Sequence, residues 1–506
     1  MAKTIGRYSF SESNIGGRVI LLFLLYLLAI YELYTMGIMG MALICALPIV
    51  ALAIVIALAY PTTMFWIVFV MNYFVMYFNK MQMMPLPVSA LMEILDIILI
   101  VIALTLHNQF KFYRLSNFML PLILAWCFFC CLEMFNDTCN LGYQIGSWYM
   151  GARLLAGQLL YALIICILYV DSPERLNKYL RIWAICSIIA AVYCWKQKTI
   201  GFNHTEQVWL DTVGYATHRV NGIIRYWSVF NDSATFGCCM ASSAALFLAA
   251  GAFAKLKSDK IFYIITCLFC VWAFFNSGTR TAIVAFGAGV ICFVFLSRSV
   301  KIAVPVAIFG AFFFFILIFT NIGQGNSQIR RMRSAFNKDD ASMGVREYNK
   351  KQLAKYLAEA PWGLGIGMNY DVVPPFNKYS IASRVPPDSE YVYIWVHTGK
   401  IGITVFVILQ VLILLGGCAN VLRLKNKSLI GIGAGFCSAF FAIQLSAYAN
   451  QVLMQFPNCF LFYGSMAICY VLPWMEKDFE IMEQRRYQRY LEKKEEKERK
   501  KRESRV

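Results

Sequence analysis

Apolar runs of about 17 to 25 residues, with few charges inside them, recur along almost the whole chain. A run of that length crosses the hydrocarbon core as a helix, because only a helix or a closed barrel satisfies its own backbone there. The repetition excludes a soluble fold: 59% of the 506 residues are hydrophobic and 15% are charged, more apolar surface than a soluble core hides. The sequence therefore predicts an all-α polytopic membrane protein of about 14 transmembrane helices. They are expected near 19–35, 39–59, 62–78, 88–106, 118–135, 150–170, 179–195, 233–254, 260–275, 279–296, 301–320, 391–417, 429–449 and 455–474. No cleavable leader is expected, since the first run is long, lacks a small-residue cleavage site and leads straight into more spans.

Lysine and arginine in the short loops set the expected orientation. With the N-terminus in the cytoplasm, the inside loops carry Lys111 and Arg114; Arg175, Lys178 and Arg181; Lys255, Lys257 and Lys260; Arg298 and Lys301; and Arg423, Lys425 and Lys427. The short outside loops carry little, Lys80 in one of them. Two longer loops, near 196–232 and 321–390, then face outward, and the C-terminus ends inside. The chain divides into helices 1 to 11 over 1–320, one large periplasmic loop with short helices over 321–390, helices 12 to 14 over 391–474, and a charged cytoplasmic tail over 475–506, expected as a solvated helix or disordered segment. The net charge of +18 reflects this inside bias and is no nucleic-acid footprint. Most of the 17 cysteines lie inside apolar runs, where Cys behaves as a small hydrophobe. The pairs Cys127/Cys130 and Cys267/Cys270 lack a partner His or second pair, which argues against zinc or redox chemistry. No internal repeat of the kind common in secondary transporters is visible.

Three cations run against the inside bias. Arg219 and Arg225 stand in HRVNGIIRYWSVFNDSATFG before the eighth expected span, and Arg280 in NSGTRTAIVAF at the start of the tenth. Each alone could be a snorkelling or ion-paired arginine. Together they suggest a phosphate-bearing lipid head, which guanidinium groups grip in bidentate geometry. Arg346 is a fourth. It lies on an expected loop helix, SMGVREYNKKQLAKYLAEA, stopped by Pro361, whose packed arc is expected to hold Val345, Tyr348, Leu353, Tyr356, Leu357 and Ala360. Arg346 projects between Leu353 and Leu357, away from Lys351 and Lys355; a structural salt bridge is the alternative. GLGIG, Gly363 to Gly367, follows a helix end rather than a strand, so it is expected to turn the backbone and not to bind a dinucleotide. In PPDSEYVYIWVHTGKIG, Asp388 and Glu390 stand just before a span. They could take a proton from a sugar hydroxyl or serve a helix N-terminus. His397, deeper in that span, is expected to be a satisfied core residue.

These pieces in this order resemble the O-antigen ligase and O-antigen polymerase superfamily of bacterial envelope enzymes. The resemblance covers roughly residues 200–475. It rests on an Arg-bearing segment before a span (Arg219, Gly222, Asn231), a later span opened by Arg280, and one large loop with an Arg-bearing helix (Arg346), Pro-x-Gly-x-Gly (Pro361, Gly363, Gly365) and a Thr-Gly-x-Ile-Gly turn (Thr398 to Gly402). Where many ligases of the family carry His followed by Asn, this chain has Asp388 and Ser389.

The resemblance implies a metal-independent glycosyltransferase without a cofactor, in the bacterial cytoplasmic membrane with both termini inside. It would polymerise glycan repeats carried on undecaprenyl diphosphate at the periplasmic face. Arg219, Arg280 and Arg346, with Arg225, would hold the diphosphate, and Asp388, or Glu390 near it, would take the acceptor proton. The implied partners are the lipid-linked glycan, a glycan or lipid acceptor, membrane lipids and other polysaccharide-assembly proteins. A ligase acting on a lipid A core or protein is the alternative within the family. A lipid-linked oligosaccharide flippase and a non-catalytic envelope scaffold are the alternatives outside it.

Overall fold

The computed structural model describes residues 26, 31, 55–81, 88–220, 222–334, 341–386 and 388–503. Two compact units divide the chain, Met1–Met64 and Phe65–Val506. The first two expected spans, near 19–35 and 39–59, lie almost wholly outside the described residues.

Every later expected span falls on a helix: α1 Pro61–Lys80, α2 Val88–Thr105, α3 Met119–Leu132, α4 Ile145–Ala152 continued through a π-helical turn into α5 Gln158–Tyr169, and α6 Pro173–Thr199. Short helices α7 His204–Thr212 and α8 Tyr215–His218 lead to a small hairpin, β1 Arg219–Val220 against β2 Ile223–Ile224. Then come α9 Ser233–Phe253, α10 Lys257–Asn276, α11 Arg280–Leu296 and α12 Val300–Phe319. The long loop holds α13 Ser327–Arg333, α14 Ala341–Leu357 and α15 Ser380–Arg384 before α16 Glu390–Arg423, α17 Lys427–Ala447 and α18 Asn458–Glu503. Among the described residues nine helical segments are long and apolar enough to cross a membrane. As far as Glu503 the expected charged tail is helical and continues the last span without a break.

Small residues decide which helices are central. In α9 and α17 nearly every side chain is buried, and glycine and alanine let the backbones approach closely. A Cβ at Gly289 of α11 would meet Ala245 Cβ of α9 at 2.7 Å, and one at Gly435 of α17 would meet Leu246 O at 2.9 Å. By contrast α12, the most apolar of the candidate spans, buries only Leu317, as a helix facing lipid should. Inside the bundle, Gln444 donates to Gln410 Oε1 at 2.9 Å, Tyr463 donates to the same oxygen at 2.8 Å, and Tyr391 donates to Gln444 Oε1 at 2.9 Å. This satisfied network ties α16, α17 and α18 together where an unpaired amide would be costly.

The long loop has a core of its own. Leu353, Leu357, Ala360, Leu364, Met368, Val373, Tyr379 and Ala382 pack with Val396 of α16 and with Cys139. The expected packed arc of α14 is corrected at its start: Val345 and Tyr348 are exposed, while Arg346 and Asn349 are half-buried in line with Leu353 and Leu357. The stripe 346, 349, 353, 357 follows the i, i+3/i+4 rule, and the apolar side chains at 345 and 348 lie off it.

The glycine run does more than turn. Gly363 has φ +77°, and a Cβ there would meet Gly399 N at 2.4 Å. Gly399 itself, at φ 65° and ψ −166°, breaks α16. Two backbone pairings cross the contact: Leu364 N donates to Val396 O at 2.9 Å and Gly365 N to His397 O at 3.1 Å. His397 is buried with Nδ1 3.1 Å from Gly365 O, the satisfied core histidine that was expected.

Candidate functional site

The starts of α9, α11 and α16 are joined to the loops at one end of the bundle, the end that the charge pattern places outside. Asp232 caps α9, accepting from Ala234 N at 2.7 Å and Thr235 N at 2.9 Å. Thr279 donates from Oγ1 to Ser233 O at 2.8 Å and so fixes the start of α11 against α9. Asn450, in the segment between α17 and α18, donates to Thr281 Oγ1 at 2.6 Å and accepts from Glu390 N at 3.3 Å. Two hydrogen bonds thus connect the residue after Arg280 to the carboxylate that opens α16.

Arg225 is held at the centre of this end. Its Nη1 donates to Thr217 O at 2.9 Å and its Nη2 to Thr279 Oγ1 at 3.1 Å. Arg331 of α13 donates from Nε to Gly278 O at 2.8 Å. A Cβ on Gly278 would touch Arg331 Cδ at 3.1 Å and Arg225 Cγ at 3.2 Å, so the two side chains flank this glycine. Arg280, two residues on, reaches Ser334 Oγ at 3.4 Å. Burial, the charge of Arg331 and the charge of Arg280 lower the Arg225 pKa to about 10, with Asp232 opposing them. Like charges gathered this closely favour an anion beside them. Arg225 Nε is buried with no hydrogen-bond partner among the described residues, a donor of the kind a bound anion would satisfy.

The other expected residues fall as follows. Arg219 lies on the exposed side of the hairpin, 2.9 Å from Asp211 Oδ1. Arg346 is half-buried on α14, one turn before Asn349, whose amide donates to Asp388 Oδ2 at 3.0 Å. Ser389, not Asp388, caps α16, its Oγ accepting from Val392 N at 3.1 Å. Asp388 is therefore spared that duty and turned to the loop helix. Glu390 is buried, and its Oε2 accepts from Leu453 N at 3.1 Å and Met454 N at 3.5 Å.

Several members of the site are not among the residues that the sequence singled out. Arg331 carried a visible signal: Arg330, Arg331 and Arg333 crowd four positions of a loop expected to lie outside, the same violation that singled out Arg280. Asn349, Asn450 and Thr281 carried none, since a neutral polar residue near a helix end is common. His218 is a neutral buttress. Its Nε2 accepts from Ser233 N at 3.2 Å, so Nδ1 holds the proton and donates to Thr217 Oγ1 at 2.8 Å. Burial first, then Lys80 and Arg225, push its pKa down to about 3.

This arrangement defines a class: a polytopic helical membrane protein whose loop-bearing end gathers guanidinium groups beside two carboxylates. Residues 265–407 match the family model described as O-antigen ligase, and over this segment the resemblance to the O-antigen ligase and polymerase superfamily is borne out. The match takes in Arg280, Arg331, Arg346, Asp388 and Glu390, and leaves Arg219 and Arg225 before it. A search of curated proteins finds no match.

Proposed function

We propose that this chain is a glycosyltransferase of the bacterial inner membrane, with both termini in the cytoplasm, that polymerises glycan repeat units carried on undecaprenyl diphosphate at the periplasmic face. The observation that carries this is the convergence of Arg225, Arg280 and Arg331 at the loop-bearing end, within a region that overlaps the O-antigen ligase match. In the proposed step an acceptor hydroxyl attacks the anomeric carbon of the lipid-linked glycan. The bond from that carbon to the diphosphate oxygen breaks, and the diphosphate leaves with the bonding pair. Its growing charge is balanced by Arg225, Arg280 and Arg331, with Arg346 and Arg219 at the approach, an electrostatic role that needs fixed donors. Asp388, oriented by Asn349, takes the hydroxyl proton, with Glu390 as the second carboxylate.

A ligase is the alternative, favoured by the description of the matched family; a lipid-linked oligosaccharide flippase is the alternative of another class. One assay separates them. Purified protein is given lipid-linked repeat units, and the products are resolved on a gel. A ladder of lengths is expected. A single transfer to a lipid or protein acceptor would mean a ligase, and translocation without any new glycosidic bond would mean a flippase.

A further inference from the structure

Glu390 also lines a cavity of about 370 Å³, within the size range of small-ligand sites. Its walls include Asn79, Gln158, Glu390, Tyr393, Gln455 and Phe456. We infer that this cavity is a subsite for one uncharged, hydroxyl-bearing sugar ring of the glycan, with Gln158 as its specificity residue; this rests on the glycan-transfer function proposed above.

Gln158 is the strongest observation. It is only 4% exposed, and both its amide oxygen and its amide nitrogen are buried with no hydrogen-bond partner among the described residues. An unsatisfied buried amide is destabilising and rare, whereas the Gln444–Gln410 pair shows how the same bundle satisfies an amide it uses only for packing. Gln158 also follows directly on the π-helical turn Arg153–Gly157, a distortion that recurs where helices build sites. The chemistry of the walls selects the ligand class. Amides offer paired donors and acceptors that match neighbouring hydroxyls, and a carboxylate accepts from a hydroxyl. Tyr393 and Phe456 supply apolar surface for the face of a ring. No Lys or Arg lines the cavity among the described residues, so a phosphate is disfavoured there and belongs with the arginines.

The placement fits a two-part site. Asn450 is bonded to Thr281 beside Arg280, and the next residue, Gln451, lines the cavity. Glu390 contacts both, through its backbone N–H to Asn450 O and as part of the cavity wall. A glycan whose diphosphate sits on the arginines therefore has a sugar-binding wall one residue away.

The test uses the full chain in detergent or nanodiscs. The probe is the free oligosaccharide released by mild acid from the source organism's own lipid-linked repeat, carrying neither lipid nor phosphate. Wild type, Gln158→Leu, Gln158→Asn and Arg280→Ala are compared for probe binding by calorimetry and for chain extension. Gln158→Leu removes an unsatisfied amide at similar volume, so its Tm is expected to stay or rise. Its affinity for the probe is expected to fall about tenfold, with KM for the lipid-linked donor rising and kcat less affected, while Gln158→Asn retains part of the affinity. Arg280→Ala is expected to bind the probe as wild type does. Unchanged affinity in Gln158→Leu, or a wild type that does not bind the probe, would overturn the subsite. Binding that depends on Gln158 in a protein that extends no chain would instead leave the subsite standing and overturn the proposed polymerase.

Discussion

Glu206 and Glu390 are both carboxylates enclosed near the loop-bearing end, yet their surroundings differ in kind. Glu206, at the first turn of α7, is saturated. It accepts from Gln197 Nε2 at 2.7 Å, Tyr193 Oη at 3.0 Å and Asn203 N at 2.9 Å, and it pairs with Lys196 at 3.3 Å. Glu390 accepts from two backbone N–H groups and borders a cavity. Burial and charge are shared, so neither marks a site. What separates them is whether the neighbourhood is already complete. The same contrast divides the amides, Gln444 being satisfied by its neighbours and Gln158 having no hydrogen-bond partner among the described residues, and the cations, Arg219 having a carboxylate beside it while Arg225 is crowded by other guanidinium groups.

The sharpest way to break this comparison is to remove charge from the arginine cluster and from the carboxylates near it. Arg280→Ala and Arg225→Ala are each expected to slow ladder formation by about 10²–10³-fold, the usual effect of losing one fixed donor to a developing oxyanion. A ladder that persists undiminished would sink the assignment of those residues. Glu390→Gln and Asp388→Asn should each cost about 10²-fold or more in chain extension with little change in Tm, if the carboxylates handle the proton. Glu206→Gln should do the opposite. Unfolding is expected to be easier by about 3 kcal/mol, because Lys196 loses its buried partner, while the rate per folded molecule holds.

Smaller effects test the supports. Gly363→Ala places a Cβ against the Gly399 backbone at 2.4 Å with φ at +77°, and is expected to destabilise by about 2–4 kcal/mol in thermal unfolding. His218 stays neutral in the folded protein down to about pH 3, whereas in the unfolded chain it takes up a proton near 6.5. Its contribution is therefore complete above pH 6.5 and lost as pH falls toward 3, by about 1.4 kcal/mol per unit. His218→Gln should flatten that slope. At the low end, Lys378→Ala removes an exposed partner of Glu359 and should leave Tm unchanged.

The helices were legible because hydrocarbon-length apolar runs leave a chain few options, and the start of α11 was marked by Arg280. The outward arginines were legible for a related reason: a cation where the inside bias forbids one is conspicuous. What could not be read was completion. Nothing in the local sequence says that Arg219 finds Asp211, that Asn349 finds Asp388, or that Gln158 finds no partner among the described residues, because each depends on residues that meet only after the bundle has closed. The packed face of α14 was misjudged at its start for a similar reason. Hydrophobicity at Val345 and Tyr348 suggested burial, but the helix presents Arg346 and Asn349 instead.

The break at Gly399 has a mechanical consequence. The stub of α16 that begins with Glu390 is stitched by backbone bonds to the glycine run of the loop, and the helix geometry lapses before the remaining turns continue. The carboxylate is therefore clasped from two directions, by Leu364 and Gly365 through the backbone of the stub and by Asn450, Leu453 and Met454 through its own atoms. A ligand that orders both the glycine run and the segment before α18 would fix its position from both sides.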